Sequence, residues 1–206
     1  YMFTVKQRVA VNNHHEALNS KDGNAYALKD LKKRIKELKI KEDEILSKIK
    51  DIIQEDENIA QGYSNIKTIV GIGEVAGIVL MHLFIKYPDA NQKQIVSLTG
   101  LDPVIKDSGT SVKSRPRISK SGSKLYRAVL FMATMVSIKY NDEMREFYDR
   151  LKENGKHSTV AQIAVMRKLI VIAHSLYKNN TTYKSEIYKK ACGVKQEKDI
   201  NKEIVT

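Results

Sequence analysis

Leu28 to Ile59 reads LKDLKKRIKELKIKEDEILSKIKDIIQEDENI. Its apolar residues Leu28, Leu31, Ile35, Leu38, Ile45, Ile49, Ile52 and Ile59 fall on a seam of alternating steps of three and four. Glu42 and Asp56 fill the two remaining positions, so the stretch is a heptad seam with two polar interruptions. The spacing predicts one long helix over 28–59, with lysine and glutamate on much of its remaining surface. A single helix cannot bury such a stripe, so it needs a partner. Residues 3–19 are predicted as a second helix, and Lys21-Asp22-Gly23-Asn24 as the turn between them. An antiparallel hairpin within the chain, or a coiled coil between chains, satisfies the seam. The polar seam residues would fix its register.

Downstream, Gln61-Gly62-Tyr63-Ser64-Asn65 interrupts the pattern and reads as a hinge. Ile66-Lys67-Thr68-Ile69-Val70-Gly71-Ile72-Gly73 then leads into an apolar stretch, as in the second half of a helix-hairpin-helix. Gly71 and Gly73 permit a tight turn that offers backbone N–H groups to a phosphate. The same turn is also explained by helix packing alone. A short helix over 89–99 ends at Gly100 as its C′ residue. Helices are predicted from about Ser121 to Asn141, over 142–152 before Asn154-Gly155, and over 158–178. In the first of these, Leu125, Val129, Met132, Val136 and Tyr140 share one face. No stretch alternates with period two long enough to be a convincing strand. Residues 181–206 read as a polar tail, with Tyr183, Ile187 and Tyr188 as its anchors. The fold class is all-α: a helical hairpin or coiled coil over 1–62, a compact helical domain over 63–180, and the tail.

Charge separates the two parts. Residues 1–62 hold 12 basic against 11 acidic residues, and residues 63–206 hold 24 against 13, so nearly all of the net +12 lies in the second part. Seven of those cations (Lys106, Lys113, Arg115, Arg117, Lys120, Lys124, Arg127) crowd Gly100 to Arg127, opposed there only by Asp102 and Asp107. Unpaired charges are too costly to bury, so this segment faces solvent or a polyanion. Its serines and glycines suit phosphate binding, and Ser121 or Ser123 is placed to cap the following helix. A serine nucleophile would need cations around the phosphate it attacks, which this segment supplies. Composition alone does not select such a serine; hydrogen bonding to the loop or to a phosphate is the plainer role for each. The single cysteine, Cys192, excludes an intrachain disulfide and fits a reducing, cytoplasmic compartment. The uninterrupted apolar runs are too short to span a bilayer, and no signal peptide is visible. None of the five histidines has a partner at zinc-site spacing. His174, on an apolar helical face, reads as a buried histidine. No Gly-Lys-Ser/Thr follows a glycine-rich turn, which excludes a Walker-type phosphate loop.

The order of motifs resembles the C-terminal half of the insertion-sequence transposases that include the Piv and MooV DNA invertases. These are bridge-RNA-guided serine recombinases with a DEDD-type nuclease domain. The resemblance runs over roughly residues 63–183. It rests on Ile66 to Gly73, Gly100-Leu101-Asp102-Pro103, Ser108-Gly109, Arg117 to Gly122, the helix opening at Leu125, Phe147 to Leu151, Gly155-Lys156 and Arg167-Lys168-Leu169. It implies DNA strand exchange with Ser108 as nucleophile. It implies backbone-phosphate contacts from Lys113, Arg115, Arg117, Lys120, Lys124 and Arg127, and from the main chain at Gly71 and Gly73. The family's Leu-Arg-Arg has Tyr126 at its first arginine here, which weakens one phosphate contact. The family's acidic, metal-binding domain is not visible, so Mg²⁺ is expected from a domain outside this chain, and none is held by the chain itself. On this reading the chain is a fragment or a truncated relative, and its opening Tyr1-Met2 fits a segment of something longer. The implied partners are DNA, guide RNA and further copies through the coiled coil, with no membrane. A non-catalytic helix-hairpin-helix binder of DNA or RNA and a coiled-coil adaptor are the competing functions.

Overall fold

The computed structural model describes residues 1–21, 24–104, 107–108, 112–113 and 117–192, with backbone only at 107–108, 112–113 and 189–192. The chain divides into two compact units, Tyr1–Ala60 and Gln61–Thr206.

The first unit is a pair of helices, α1 (Met2–Asn19) and α2 (Ala25–Gln54). The Asn24 side chain caps α2 by accepting from Tyr26 N–H at 2.8 Å, supplying a partner for one of the four orphan donors of a helix start. Leu31 is buried in the seam and Leu28, Ile35, Leu38 and Ile45 are half-buried. The polar seam residue Glu42 is buried as well, and Arg8 of α1 donates to it at 2.8 Å. That bond holds the Arg8 guanidinium above its ordinary pKa. The pair is antiparallel, and Arg8–Glu42 fixes its register, because any slip would leave the carboxylate buried and unpaired. Ile52, in the last turn of α2, stays 62% exposed.

The predicted helix over 28–59 is two helices. The break falls at Glu55-Asp56, where the Asp56 side chain accepts from the N–H groups of Asn58 and Ile59 at 2.9 and 3.1 Å. Asp56 is therefore the cap of a new helix, α3 (Glu57–Lys67), and not a seam residue. The predicted hinge at 61–65 is inside α3. Gly62 is there because a Cβ would lie 2.9 Å from the Tyr177 ring.

The second unit is built around α4 (Glu74–Lys86), with Val79, Leu80, Met81, Leu83 and Phe84 all buried. Each such side chain is worth roughly 1.5–3 kcal/mol of burial. Then come α5 (Gln92–Leu98), four two-residue strands, α6 (Lys124–Tyr140), α7 (Asp142–Glu153), α8 (Ser158–Asn179) and α9 (Ser185–Cys192). Helix α8 packs against α4, α5, α6 and α7. By length and composition it could cross a bilayer, but half of its most apolar window is buried; Val165, Leu169, Ile170 and Ala173 are core residues of this unit. His174 is buried as expected, edge-on to Phe84. Its pKa is lowered by burial and then by the nearby charge of Lys178.

Helix ends follow their caps. Asn91 and Gln94 form a capping box at α5. Asn141 ends α6 and caps α7 by accepting from Met144 N–H. Acids in the first turn of α7 and bases in its last turn match the helix dipole. The face of α6 bearing Met132, Val136 and Tyr140 turns outward, while Tyr126, Leu130, Ala133 and Ser137 are buried. The expected tail is ordered through α9. Tyr183 stacks on Tyr188 with centroids 4.9 Å apart, and the Tyr183 and Ser185 hydroxyls donate to the buried Glu143 carboxylate. Ile187 is 62% exposed.

Candidate nucleic-acid interface

The described parts of the basic segment between α5 and α6 form two short antiparallel ladders, a ribbon of two-residue strands. β1 (Pro103–Val104) pairs antiparallel with β4 (Arg117–Ile118), Pro103 facing Ile118. β2 (Asp107–Ser108) pairs with β3 (Val112–Lys113), Ser108 facing Val112. Strands this short escape a period-two search, which is why the sequence reads as loop. The stem continues below β1 and β4: Ser119 N–H donates to Asp102 O at 2.9 Å and Lys120 N–H to Gly100 O at 3.1 Å.

The stem is fixed to the helices by close approach and by side chains. Gly100, at φ +66°, is the C′ residue of α5. A Cβ on Gly122 would lie 2.0 Å from Leu98 O, so only glycine lets the returning strand meet the end of α5. Arg127 Nη1 donates to Thr99 O at 3.0 Å and to Gly122 O at 2.6 Å. It thereby satisfies a C-terminal carbonyl of α5 and ties it to α6. Ser119 Oγ donates to Asp102 Oδ1 at 2.6 Å and lies 3.0 Å from Ser121 Oγ. Ser123 caps α6, accepting from Leu125 N–H at 3.2 Å.

The predicted phosphate ligands separate into groups. Lys120, Lys124 and Arg127 line one groove of about 640 Å³ between the ribbon stem, α6 and α8. Lys120 and Lys124 are exposed and Arg127 is half-buried. Arg117 is exposed on β4. Ser108 enters through its backbone alone; its side chain and that of Lys113, with the whole of Arg115, lie outside the described residues. Gly71 and Gly73 do different things. Gly71 sits at φ +105°, and a Cβ there would lie 2.0 Å from Ser137 Oγ and 2.8 Å from Ser137 N, so this glycine lets the turn press against α6. Ser137 Oγ in turn donates to Val70 O at 2.8 Å. Gly73 precedes α4, has nothing within 4 Å of a Cβ position, and leaves that helix without a side-chain cap. Glu74 stands in the first turn beside it.

Tyr126 is buried, with its hydroxyl 3.1 Å from His82 Nδ1, and burial raises its pKa. Position 126 therefore faces inward here, and its tyrosine costs the surface no cation. A second basic cluster went unseen in the sequence. Lys93, Arg167 and Lys168 come from α5 and α8 to a cleft of about 500 Å³ that also contains Asp102 and Phe147. Arg150 and Lys168 both lie over the Phe147 ring, 5.5 and 5.4 Å from its centroid. The Phe147–Leu151 and Arg167-Lys168-Leu169 motifs both contribute to it, but nothing in their spacing announces that they meet.

Residues 63–149 match the family described as Transposase IS116/IS110/IS902 family. The matched segment starts within α3 and ends in α7, so it contains the glycine turn, the ribbon and most of the groove. Over 130 residues the chain is 32% identical to the pilin gene-inverting proteins of Moraxella bovis and Moraxella lacunata. That alignment covers 61% of this chain and 39% of each relative, so the chain spans about two fifths of their length. It is 28% identical over 94 residues to an insertion element IS900 uncharacterized 42 kDa protein of Mycobacterium paratuberculosis, covering 46% of this chain and 23% of that one.

Proposed function

We propose that this chain binds DNA as part of a transposase or site-specific recombinase and contributes Ser108 as the nucleophile of strand exchange. The observation that carries the reading is the convergence of Lys120, Lys124 and Arg127 on one groove beside the β1–β4 ladder, in the same segment between α5 and α6 as Ser108. Such a cluster holds backbone phosphates without reading sequence. In the reaction, the serine hydroxyl gives up its proton as its oxygen bonds to phosphorus, the bond from phosphorus to one deoxyribose oxygen breaks, and that oxygen takes up a proton and leaves as a hydroxyl. The cations stabilise the charge that gathers on the phosphoryl oxygens. Mg²⁺ belongs, in this proposal, to an acidic nuclease-like domain outside the chain. No group of three or more His, Cys, Asp or Glu among the described residues fits a metal ion, and no step here runs through one. Guide RNA and further copies of the chain are proposed partners, the latter through the apolar seam that continues to Ile52.

Salt dependence tests binding. Seven cations meeting duplex phosphates give a log–log slope of about −6; a slope near zero favours the adaptor reading. Chemistry is tested by strand transfer with the nuclease-like domain supplied. Ser108→Ala should abolish transfer while binding survives; if transfer persists, the nucleophile is elsewhere, with Ser111 and Ser119 next to be tested. The uncapped start of α4 at Gly73 favours one second reading, a non-catalytic helix-hairpin-helix binder. In that case Gly73→Asp weakens DNA binding and Ser108→Ala changes nothing.

A further inference from the structure

We infer that the groove between α6 and α8 is a pocket for an unpaired nucleotide of a DNA strand, with Lys120 and Lys124 on its phosphate and Phe131 under its base. The inference rests on the DNA-binding reading above and adds a site to it. Phe131 and Met132 line the same groove as the three cations, and they are 42% and 64% exposed. Lys124, Arg127 and Phe131 fall on one face of α6. Cations and ring are thus about 6 to 10 Å apart along the helix axis, a spacing that suits a phosphate and a neighbouring base. No carboxylate lines the groove among the described residues. The first turn of α6 carries Lys124 and no acid, which opposes the helix dipole until an anion arrives. Lys120 is held at φ +55°, in the left-handed region that a non-glycine residue occupies at a cost. Its N–H bond to Gly100 O keeps it there, at the rim.

A second copy of the chain is the competing occupant of this apolar face. A two-fold contact through it would bring two sets of the same lysines within a screening length of each other, with no acid between them. A nucleotide answers both halves of the groove at once. Duplex DNA answers only the cationic half, because its bases are stacked inside.

The test uses the 206-residue chain and three labelled probes: a short duplex, the same duplex with a single-thymidine bulge, and the same bulge made abasic. Fluorescence anisotropy should show the thymidine bulge bound about tenfold more tightly than the abasic one. Phe131→Leu, which keeps an apolar side chain but loses the aromatic face, should erase that difference; Phe131→Trp should keep it. Lys124→Ala should weaken all three probes together and lower the salt slope by about one unit. Equal affinity for thymidine and abasic bulges, with the salt slope intact, would overturn the nucleotide pocket and leave DNA binding standing. Absence of salt-dependent binding to any probe would overturn both. If the preference survives Phe131→Leu while light scattering shows that the change dissolves a dimer, the face is a self-contact and the proposal fails.

Discussion

Replacing Gly71 by alanine separates the two roles that the Gly-Ile-Gly turn could play. Gly71 lies at φ +105°, and the added Cβ would meet the Ser137 side chain at 2.0 Å and its backbone N and Cα at 2.8 and 2.9 Å. Backbone strain of this kind costs about 1–3 kcal/mol. The Ser137 hydroxyl must also move, breaking its 2.8 Å bond to Val70 O at a further cost of about 1 kcal/mol. The turn cannot simply retreat, because Ile66, Ile69 and Ile72 on either side of it are all buried. The expected destabilisation is therefore about 2–4 kcal/mol, a fall in Tm of roughly 10 °C for a unit of this size. Gly73 is the control, with an ordinary φ of −82° and open space around it. Gly73→Ser supplies the missing cap of α4 and should leave stability unchanged or raise it by up to about 1 kcal/mol. Urea unfolding followed by circular dichroism at 222 nm, the helix band, measures both. If Gly71→Ala unfolds at the wild-type midpoint, the close packing of the turn on α6 is wrong.

Glu42→Leu should leave the hairpin as stable or make it more stable, since a well-packed leucine removes the cost of a buried carboxylate and Arg8 is free to turn to water. Arg8→Ala should destabilise it by about 1–3 kcal/mol, because Glu42 stays buried without its donor; paired urea titrations decide the sign of each. Burial holds His174 neutral in the fold, with its pKa below the ordinary 6.5. Its contribution is complete above that value and is lost as pH falls through it, because the unfolded chain then takes up the proton. Wild type should lose up to about 1.4 kcal/mol per pH unit in that range, and His174→Leu should lose less, as read from urea midpoints at neutral and mildly acidic pH. Arg127→Lys keeps the charge but loses the planar, rigid guanidinium whose Nη1 donates to both Thr99 O and Gly122 O. It should lower Tm by a few degrees while leaving the salt slope of DNA binding nearly intact.

The helix ends were legible because each is written in its own few residues. Ser123 and Asn141 cap the helices they precede, and Gly100 and Gly155 end theirs at positive φ; the helix expected from residue 89 instead begins at Gln92, after its Asn91 cap. The features that were missed depend on partners distant in sequence. Asp56 satisfied the heptad count, and only the hydrogen bonds it accepts mark it as a cap. Gly62 looks like a hinge until Tyr177 packs against it, and the polar run after Asn180 looks frayed until Glu143 takes two of its hydroxyls. Helix α6 carries apolar side chains on more than one side, so periodicity finds a stripe without saying which one is buried. The stripe that was found points out, and the groove begins on that outward side.

The ribbon shows how two-residue strands can hold a cationic segment in place. Two short ladders are too few to persist alone, since even a full hairpin is marginal in water. Here the stem is fixed from below by three contacts, none of them with another strand. Gly122 presses on the end of α5, Arg127 ties that end to α6, and the Ser119–Asp102 bond joins the two legs. Asp102 is thus a structural acid at the foot of the basic segment, and its charge is engaged by a serine. Asp102→Asn keeps an acceptor for that serine, whereas Asp102→Ala removes the side-chain bond between the two legs and leaves only their backbone bonds. If the stem positions the cations, the alanine variant should lose DNA affinity although no cation has been removed, and the asparagine variant should retain it. Equal binding by the two would mean that Lys120 and Lys124 find the phosphates without the ribbon's help.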